Sequence, residues 1–188
     1  MNVRTSIKRT VLGLVGAAAI TASIAAPAFA ADVTQVINGN GNLSASVADA
    51  AMTPILYSNT SGSTTGTLSL AVSDPRGTAA GWNVTLASTD FVYGGTSTIG
   101  QDLPNTGFAI TSVGAPGFVS GQPINVDGPL AVSAGAASLD QARKTIQAND
   151  GSGSGSYTQS LPVSLAIPAY SQAGTYTAVL TVTITTGP

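Results

Sequence analysis

Two stretches near the C-terminus alternate large and small side chains with a period of two residues. In the first, Tyr157 to Ile167, every second residue is large while serine, threonine, proline and alanine fill the other positions. In the second, Tyr176 to Ile184, apolar residues alternate mostly with threonine. Such a period places the two sets on opposite faces of a strand. The pattern predicts two strands with one buried face each, paired as a terminal hairpin, with Pro162 indicating an edge strand or an outward-facing amide.

The only tryptophan lies in a third alternating stretch, Gly81 to Leu86. Alternation places its side chain on the same face as two aliphatic residues, so we expect a core position rather than an exposed binding residue. The stretch is preceded by another alternating run, Gly66 to Ser73, and by a turn at Asp74 to Gly77. These two runs predict a central hairpin. In this stretch and in the last alternating stretch of the chain, seven residues are expected in the core: Trp82, Val84, Leu86, Tyr176, Leu180, Val182 and Ile184.

Shorter segments complete the prediction. Val33 to Ile37 and Leu43 to Val47 are expected to be strands, and the apolar residues change phase near Ser88 to Asp90, which indicates a bulge or a strand end. Leu139 to Ala148 has roughly helical spacing and is the one candidate helix. The sequence therefore predicts an all-β fold, an antiparallel sandwich of roughly seven to ten short strands, with a partly open barrel as the alternative.

The first thirty residues have the three parts of a secretory signal. Arg4, Lys8 and Arg9 precede an uncharged, alanine-rich run, and Ala28-Phe29-Ala30 gives a cleavage site. We expect residues 1–30 to be removed and residues 31–188 to form a single extracellular domain. The run is short and weakly apolar for a retained span of about 20 residues, so no membrane association is expected after cleavage.

Charge excludes several partners. The predicted mature chain has three basic residues and eight aspartates, a net charge of 3 − 8 = −5. Nucleic acids and anionic lipids require clustered Lys or Arg, so neither is an expected partner.

Chemistry is equally restricted, because the chain contains no Cys, His or Glu. The usual nucleophile–base pairs and zinc ligands are absent, and no cofactor is predicted. A carboxylate pair could be made only by Asp90 with Asp102 or Asp127. Asn149-Asp150-Gly151 offers oxygens but lacks the spacing of a calcium loop. We expect these residues to be loop caps, and the protein not to be an enzyme.

Three tyrosines near strand ends or in loops, Tyr57, Tyr93 and Tyr170, are the candidates for surface contact. Tyr157 and Tyr176 begin strands on their apolar faces, so both are expected in the core. The threonine-rich faces and the absence of lysine on the edges allow a different contact, strand addition or self-association.

Several motifs resemble those of one family. They are Gly81-Trp82-Asn83-Val84-Thr85-Leu86 with Asp90-Phe91, then Leu139-Asp140-x-Ala142-Arg143, Gly155-Ser156-Tyr157, Leu165-x-Ile167-Pro168, and Ala173 to Leu180. Together they resemble the WxL-domain surface proteins of Gram-positive bacteria, over residues 60–188 and by extension the mature chain. Two motifs depart from the family pattern. Val84 stands where the family has leucine, and Val182-Thr183-Ile184 stands where it has Trp-x-Leu.

The resemblance implies a β-rich domain that follows a signal peptide and attaches non-covalently to the cell wall, with peptidoglycan or another wall polymer as its ligand. Two alternatives stay open. One is a self-associating structural subunit of a surface fibre or coat, in contact with other surface proteins or with itself. The other is a glycan-binding module.

Overall fold

The computed structural model describes residues 35–48, 50–95, 102–132 and 137–188. The chain divides into two units, 1–36 and 37–188, and the second is compact. The predicted signal peptide lies outside the described residues. Within the described part, the second unit contains twelve strands: β1 Ser44–Val47, β2 Gly62–Asp74, β3 Trp82–Ser88, β4 Val92–Tyr93, β5 Phe108–Ile110, β6 Gly117–Gly121, β7 Leu130–Ala131, β8 Ala137–Ser138, β9 Arg143–Ala148, β10 Gly155–Ile167, β11 Tyr176–Thr177 and β12 Leu180–Thr186.

The strands form two principal antiparallel sheets. The first sheet has the order β1-β2-β10-β5-β8, with β6 also paired to β10, and the second has the order β12-β3-β9-β7. A short ladder joins β4 to β11. Neither principal sheet closes on itself, and a single 3-10 turn, Asn105–Gly107, is the only helical element in the described residues. The predicted all-β antiparallel sandwich is confirmed.

The core lies between the two sheets and contains side chains from both. β2 and β10 bury alternate residues against alternate residues of β3, as their patterns predict. The most deeply buried large side chains are Trp82, Tyr157, Leu70, Leu86, Ile110, Leu139, Ile146 and Leu161.

Both predicted hairpins are wrong. β2 pairs with β1 and β10 in the first sheet, whereas β3 lies in the second sheet between β12 and β9. The chain therefore crosses from one sheet to the facing sheet between Asp74 and Trp82. It crosses again between Ile167 and Leu180, so β10 and β12 are not neighbours. Alternation specifies which face of a strand is buried but not which strand it pairs with. A strand that crosses to the facing sheet buries the same side chains as one that turns back in a hairpin, so the sequence pattern does not distinguish the two connections.

Pro162 lies in an interior strand, which corrects the edge-strand expectation. Its carbonyl oxygen accepts from the Thr111 amide at 2.9 Å, so its ring nitrogen faces the same side of β10. On that side β6 pairs with residues 155–158 and β5 with residues 163–165. The proline occupies the interval between these two short ladders, where no amide donor is required.

The predicted helix at Leu139 to Ala148 is also wrong. The segment begins with a turn and continues as β9, which pairs with β3 and β7. A bulge in the β3–β9 ladder adds one residue, so Thr145 and Ile146 are both buried, and this interrupts the two-residue pattern. The phase change after Ser88 is the end of β3, as predicted. At the N-terminus, β1 is present, whereas residues 35–37 are not in a strand and 33–34 lie outside the described part.

Candidate functional site

The strand directions define two ends of the sandwich. β3 and β10 both begin at one end, which we call the tryptophan end because Trp82 and Tyr157 lie there. β3 ends at Ser88 and β10 at Ile167, and this opposite end we call the groove end. Each end contains a group of aromatic side chains, and the two groups differ in exposure and in polar contacts.

At the tryptophan end, Trp82 has no exposed surface. Its indole N–H donates to the carbonyl oxygen of Gly153 at 2.9 Å, and its ring centroid lies 6.1 Å from that of Tyr157. The Tyr157 hydroxyl donates to the carbonyl oxygen of Gln122 at 2.6 Å. Gly153 has φ 84°, and a β-carbon there would lie 2.7 Å from the indole nitrogen. Only glycine therefore fits at position 153 while the indole keeps its place.

A buried ion pair closes the same end. The carboxylate of Asp74 has no exposed surface and accepts from Arg76 at both oxygens, at 2.7 and 3.0 Å. Arg76 also donates to the carbonyl oxygen of Gly81 at 3.0 Å and to the Thr186 hydroxyl at 2.7 Å. Hydrogen bonding to Asp74 raises the pKa of the Arg76 guanidinium. One arginine thus connects the end of β2 to the beginning of β3 and the end of β12.

The two family-like motifs occupy paired strands. In the β3–β12 ladder Val84 lies opposite Ile184 and Leu86 opposite Val182, while Trp82 lies opposite Thr186. Leu180, Val182 and Ile184 are half-buried and pack against the core. The apolar side chains of both motifs therefore lie in one sheet, but only those of the first motif are fully buried.

The groove end contains a cavity of about 650 Å³. Its walls are the segment from Ala50 to Ser58 and the loop from Pro168 to Ala178, and its floor includes Phe91 and Leu103, which pair by a mutual backbone bridge. The Phe91 ring meets that of Phe108 edge to face at 5.1 Å. None of the described residues that line the cavity is charged. We call this cavity the tyrosine groove, because Tyr57 and Tyr176 line it and Tyr93 and Tyr170 adjoin it.

Tyr57 and Tyr170 project from neighbouring segments at the rim. Tyr57 is 59% and Tyr170 65% exposed. The amide of Tyr170 donates to the carbonyl oxygen of Ser58 at 3.2 Å, which places the two loops side by side. Tyr170 has φ 63°, a left-handed conformation that costs a non-glycine residue on the order of 1 kcal/mol. An exposed aromatic ring held in an unfavourable conformation indicates a role other than stability.

Tyr93 and Tyr176 form the opposite part of the site. They are directly paired in the β4–β11 ladder, with ring centroids 5.1 Å apart. Their hydroxyls donate to the carbonyl oxygens of Ala173 at 3.1 Å and Gln172 at 2.8 Å, respectively. A β-carbon at Gly174 would lie 2.5 Å from the Tyr93 ring, so this glycine allows the loop to lie flat on the ring. These contacts hold the 172–174 loop in place.

Burial raises the pKa of the Tyr176 hydroxyl, and the neighbouring Tyr93 adds to the effect. The hydroxyl therefore remains a neutral donor at physiological pH. Tyr176 was expected in the core, but it is only half-buried and lines the groove. The structure thus brings the three predicted contact tyrosines to one end and adds Tyr176 to them.

The aspartates at the groove end are used as loop caps. Asp90 accepts from the Asn105 amide at 2.8 Å, and Asp102 accepts from the Tyr93 amide at 2.9 Å. Asp127 lies in a turn at the other end, where its carbonyl oxygen accepts from the Asn149 amide at 2.8 Å. In the described ranges no three metal-ligating side chains come together, and no helix is long and apolar enough to cross a membrane.

The chain is thus an antiparallel β-sandwich with a concave, uncharged groove at one end, which is a form that ligand sites commonly take. The family model of the WxL domain, described as surface cell wall-binding, matches residues 32–188. The chain belongs to this family, so it is a surface protein with a cell wall-binding domain, and the resemblance noted in its motifs is confirmed. Comparison with the curated proteins and with the solved structures gives no match.

Proposed function

We propose that the chain is a non-catalytic surface protein of a Gram-positive bacterium. Its signal peptide, residues 1–30, is removed on secretion, and residues 31–188 act as one domain. This domain binds peptidoglycan non-covalently in the tyrosine groove. The observation that carries the proposal is the uncharged groove of about 650 Å³ with Tyr57 and Tyr170 exposed at its rim.

The chemistry of the groove suits the glycan strands of peptidoglycan. N-acetylated sugars present apolar ring faces and neutral hydroxyl and amide groups. Exposed tyrosine rings supply flat apolar faces with a polar tip, which is the combination that such sugars require. Because the described lining carries no charge, it offers no ion pair to the charged ends of the stem peptides.

The groove is also largely pre-formed. Tyr93 and Tyr176 are tied by their hydroxyls to the 172–173 backbone. On the other wall, the Thr53 amide donates to the Thr65 carbonyl oxygen at 2.9 Å, and the Thr64 hydroxyl donates to the Thr53 carbonyl oxygen. A surface ordered before binding loses less conformational entropy when the ligand arrives.

The absence of a catalytic role is supported by the same residues. The sequence has no Cys, His or Glu, and Asp90 and Asp102 are already engaged as acceptors of backbone amides. Capping a loop gives each carboxylate a structural role, which supports a non-catalytic assignment.

The test is retention of the mature protein on purified peptidoglycan sacculi, measured as a dissociation constant by sedimentation. We expect the double variant Tyr57→Ala with Tyr170→Ala to bind roughly 30-fold more weakly, on the basis of about 1 kcal/mol for each ring. Phe118→Ala is the matched control, since Phe118 is an aromatic residue 50% exposed at the tryptophan end.

Three outcomes would overturn the proposal. They are no retention of the wild-type protein, unchanged retention of the double variant, or an equal loss in Phe118→Ala. Competition with soluble glycan strands and with stem peptides then identifies the recognised part, and we expect only the glycan strands to compete. Binding of soluble glycans without retention on sacculi would favour the general glycan-binding alternative.

A further inference from the structure

The edge strand β12 presents unpaired backbone groups. Val179 accepts from the Thr89 amide and Gly187 donates to the Gly81 carbonyl, at 3.0 and 3.2 Å, so odd-numbered residues face β3. In a strand the direction alternates from one residue to the next. Leu180, Val182, Ile184 and Thr186 therefore direct their N–H and C=O groups to the free side, where the described residues provide no backbone partner.

β12 lacks the protections that other edge strands have. Natural sheets protect edges by short strands, charged residues, proline or bulges. The other terminal strands, β1, β7 and β8, have four, two and two residues. β12 has seven residues, Leu180–Thr186, none of them charged or proline, and its ladder with β3 has no bulge.

The core is also open on this side. Leu180, Val182 and Ile184 are only half-buried, and so are Ala45 and Val47 on β1, the edge strand of the facing sheet. An apolar cavity of about 580 Å³ lies between the two edges and includes Val47, Leu180 and Val182 in its walls. A partner at this edge would satisfy the backbone groups and cover apolar surface together.

We infer that the partner is a second copy of this chain, paired antiparallel through β12 about a two-fold axis at Thr183. In this register Val182 lies opposite Ile184 of the second copy, and Leu180 lies opposite its Thr186. Both of these pairs join residues with outward-facing backbone groups, so each exchanges two hydrogen bonds, whereas the odd-numbered pairs between them are of the non-hydrogen-bonded kind. An axis perpendicular to the sheet keeps the apolar faces of both copies on one side, where they cover the two open cavities.

The sequence of β12 favours a second copy over a different protein. A period-two pattern centred on Thr183 is largely complementary to itself. Val182 meets Ile184 on the apolar face and Thr181 meets Thr185 on the exposed face, and only the Leu180–Thr186 pairs at the two ends join an apolar residue to a threonine. None of the eight aspartates of the chain lies on β12, so the net charge does not oppose the contact directly. The dimer places its two tyrosine grooves at opposite ends, because Leu180 is at the groove end and Thr186 is not.

The first test is sedimentation of the mature protein over a range of concentrations. We expect a dimer in the wild type and at least a tenfold larger dissociation constant in Thr183→Lys, which brings two ammonium groups together at the axis. Thr183 is exposed, so the folded monomer tolerates the change. Thr67→Lys on β2 is the control, because it adds the same charge at an exposed position of the other sheet.

The second test determines the register of the pairing between the two β12 strands by disulfide cross-linking. The chain has no cysteine, so a single Thr183→Cys reports without interference. At the axis, this non-hydrogen-bonded pair has Cα atoms about 4.5 Å apart, which is within the range of a disulfide. We expect rapid oxidation to a covalent dimer for Thr183→Cys but not for Thr181→Cys, whose two copies are four positions apart. A monomeric wild type, or equal cross-linking of both variants, would overturn the inference.

Discussion

The two ends of the sandwich use similar aromatic residues in opposite ways. At the tryptophan end, Trp82 and Tyr157 are almost completely buried, and their polar atoms donate to backbone carbonyls. At the groove end, Tyr57 and Tyr170 are more than half exposed beside an uncharged cavity. The residue that marks the family thus stabilises the fold, whereas the proposed contact surface lies at the other end of the same strands.

The largest effect should come from Trp82→Ala. Removing a fully buried indole leaves a cavity and an unpaired carbonyl at Gly153, which is expected to lower the free energy of unfolding by about 3 to 5 kcal/mol. Denaturant unfolding followed by circular dichroism measures it. Tyr57→Ala should change the same quantity by no more than about 0.5 kcal/mol. Comparable losses in the two variants would remove the distinction between the ends.

Arg76→Ala should have the next largest effect. It leaves the buried Asp74 carboxylate without its partner, and breaking such a pair costs about 3 kcal/mol. Arg143→Ala is the matched control, because the Arg143–Asp140 pair is 3.7 Å long and partly exposed on both sides. An exposed pair contributes less than about 1 kcal/mol. Equal unfolding free energies for the two variants would show that the buried pair does not hold the tryptophan end.

Alkaline pH should weaken the fold through Tyr157. Burial raises the pKa of its hydroxyl above the ordinary value of 10.0, with a further contribution from the nearby Asp74. The folded chain thus holds this proton more tightly than the unfolded chain, so the stabilisation is complete below pH 10 and declines as the pH rises above it. Tyr157→Phe should lose about 1 kcal/mol at neutral pH with its hydrogen bond.

When stability is measured as a function of pH, the unfolding free energy of Tyr157→Phe should decline less steeply above pH 10 than that of the wild type. The measurement is denaturant unfolding at a series of pH values. Parallel curves for the two proteins would contradict the assigned cause.

The smallest effect should have the opposite sign. Tyr170→Gly relieves the left-handed backbone at φ 63° and is expected to raise the free energy of unfolding by up to about 1 kcal/mol. The same variant should bind sacculi more weakly, because the ring at the rim is lost. Tyr57→Gly should weaken binding without the gain in stability. A loss of stability in Tyr170→Gly would mean that the ring itself supports the loop.

The sequence predicts the faces of the strands better than their neighbours. Alternation correctly gives the buried sides of β2, β3 and β10, because burial acts on each strand separately. Pairing depends on where the chain crosses between sheets, and the loops before Trp82 and after Ile167 carry no sign of that crossing. The helical spacing at Leu139 to Ala148 has a similar origin, because Leu139 and Ala142 lie in the turn before β9 and the bulge at Thr145 interrupts the two-residue pattern within the strand.

For the candidate site, the sequence selects the tyrosines but not their grouping. Tyr57, Tyr93 and Tyr170 stand out because they lie near strand ends. That they lie at one end follows from the direction of β3 and β10, which pattern alone does not give. Tyr176 was missed because alternation places it on the apolar face of its strand, which predicts a core position. The strand is only two residues long and borders an open cavity, so the side chain lines the groove instead.

The close approach of Gly153 to the indole of Trp82 links two positions that are 71 residues apart in the chain. Neither is free to change alone, because any side chain at position 153 would displace the ring, and a smaller residue at position 82 would leave a space behind the glycine. Relatives that keep the tryptophan should therefore keep the glycine, and relatives that lose one should show substitutions at the other. On this basis the mark of the family is expected to be a pair of positions that change together.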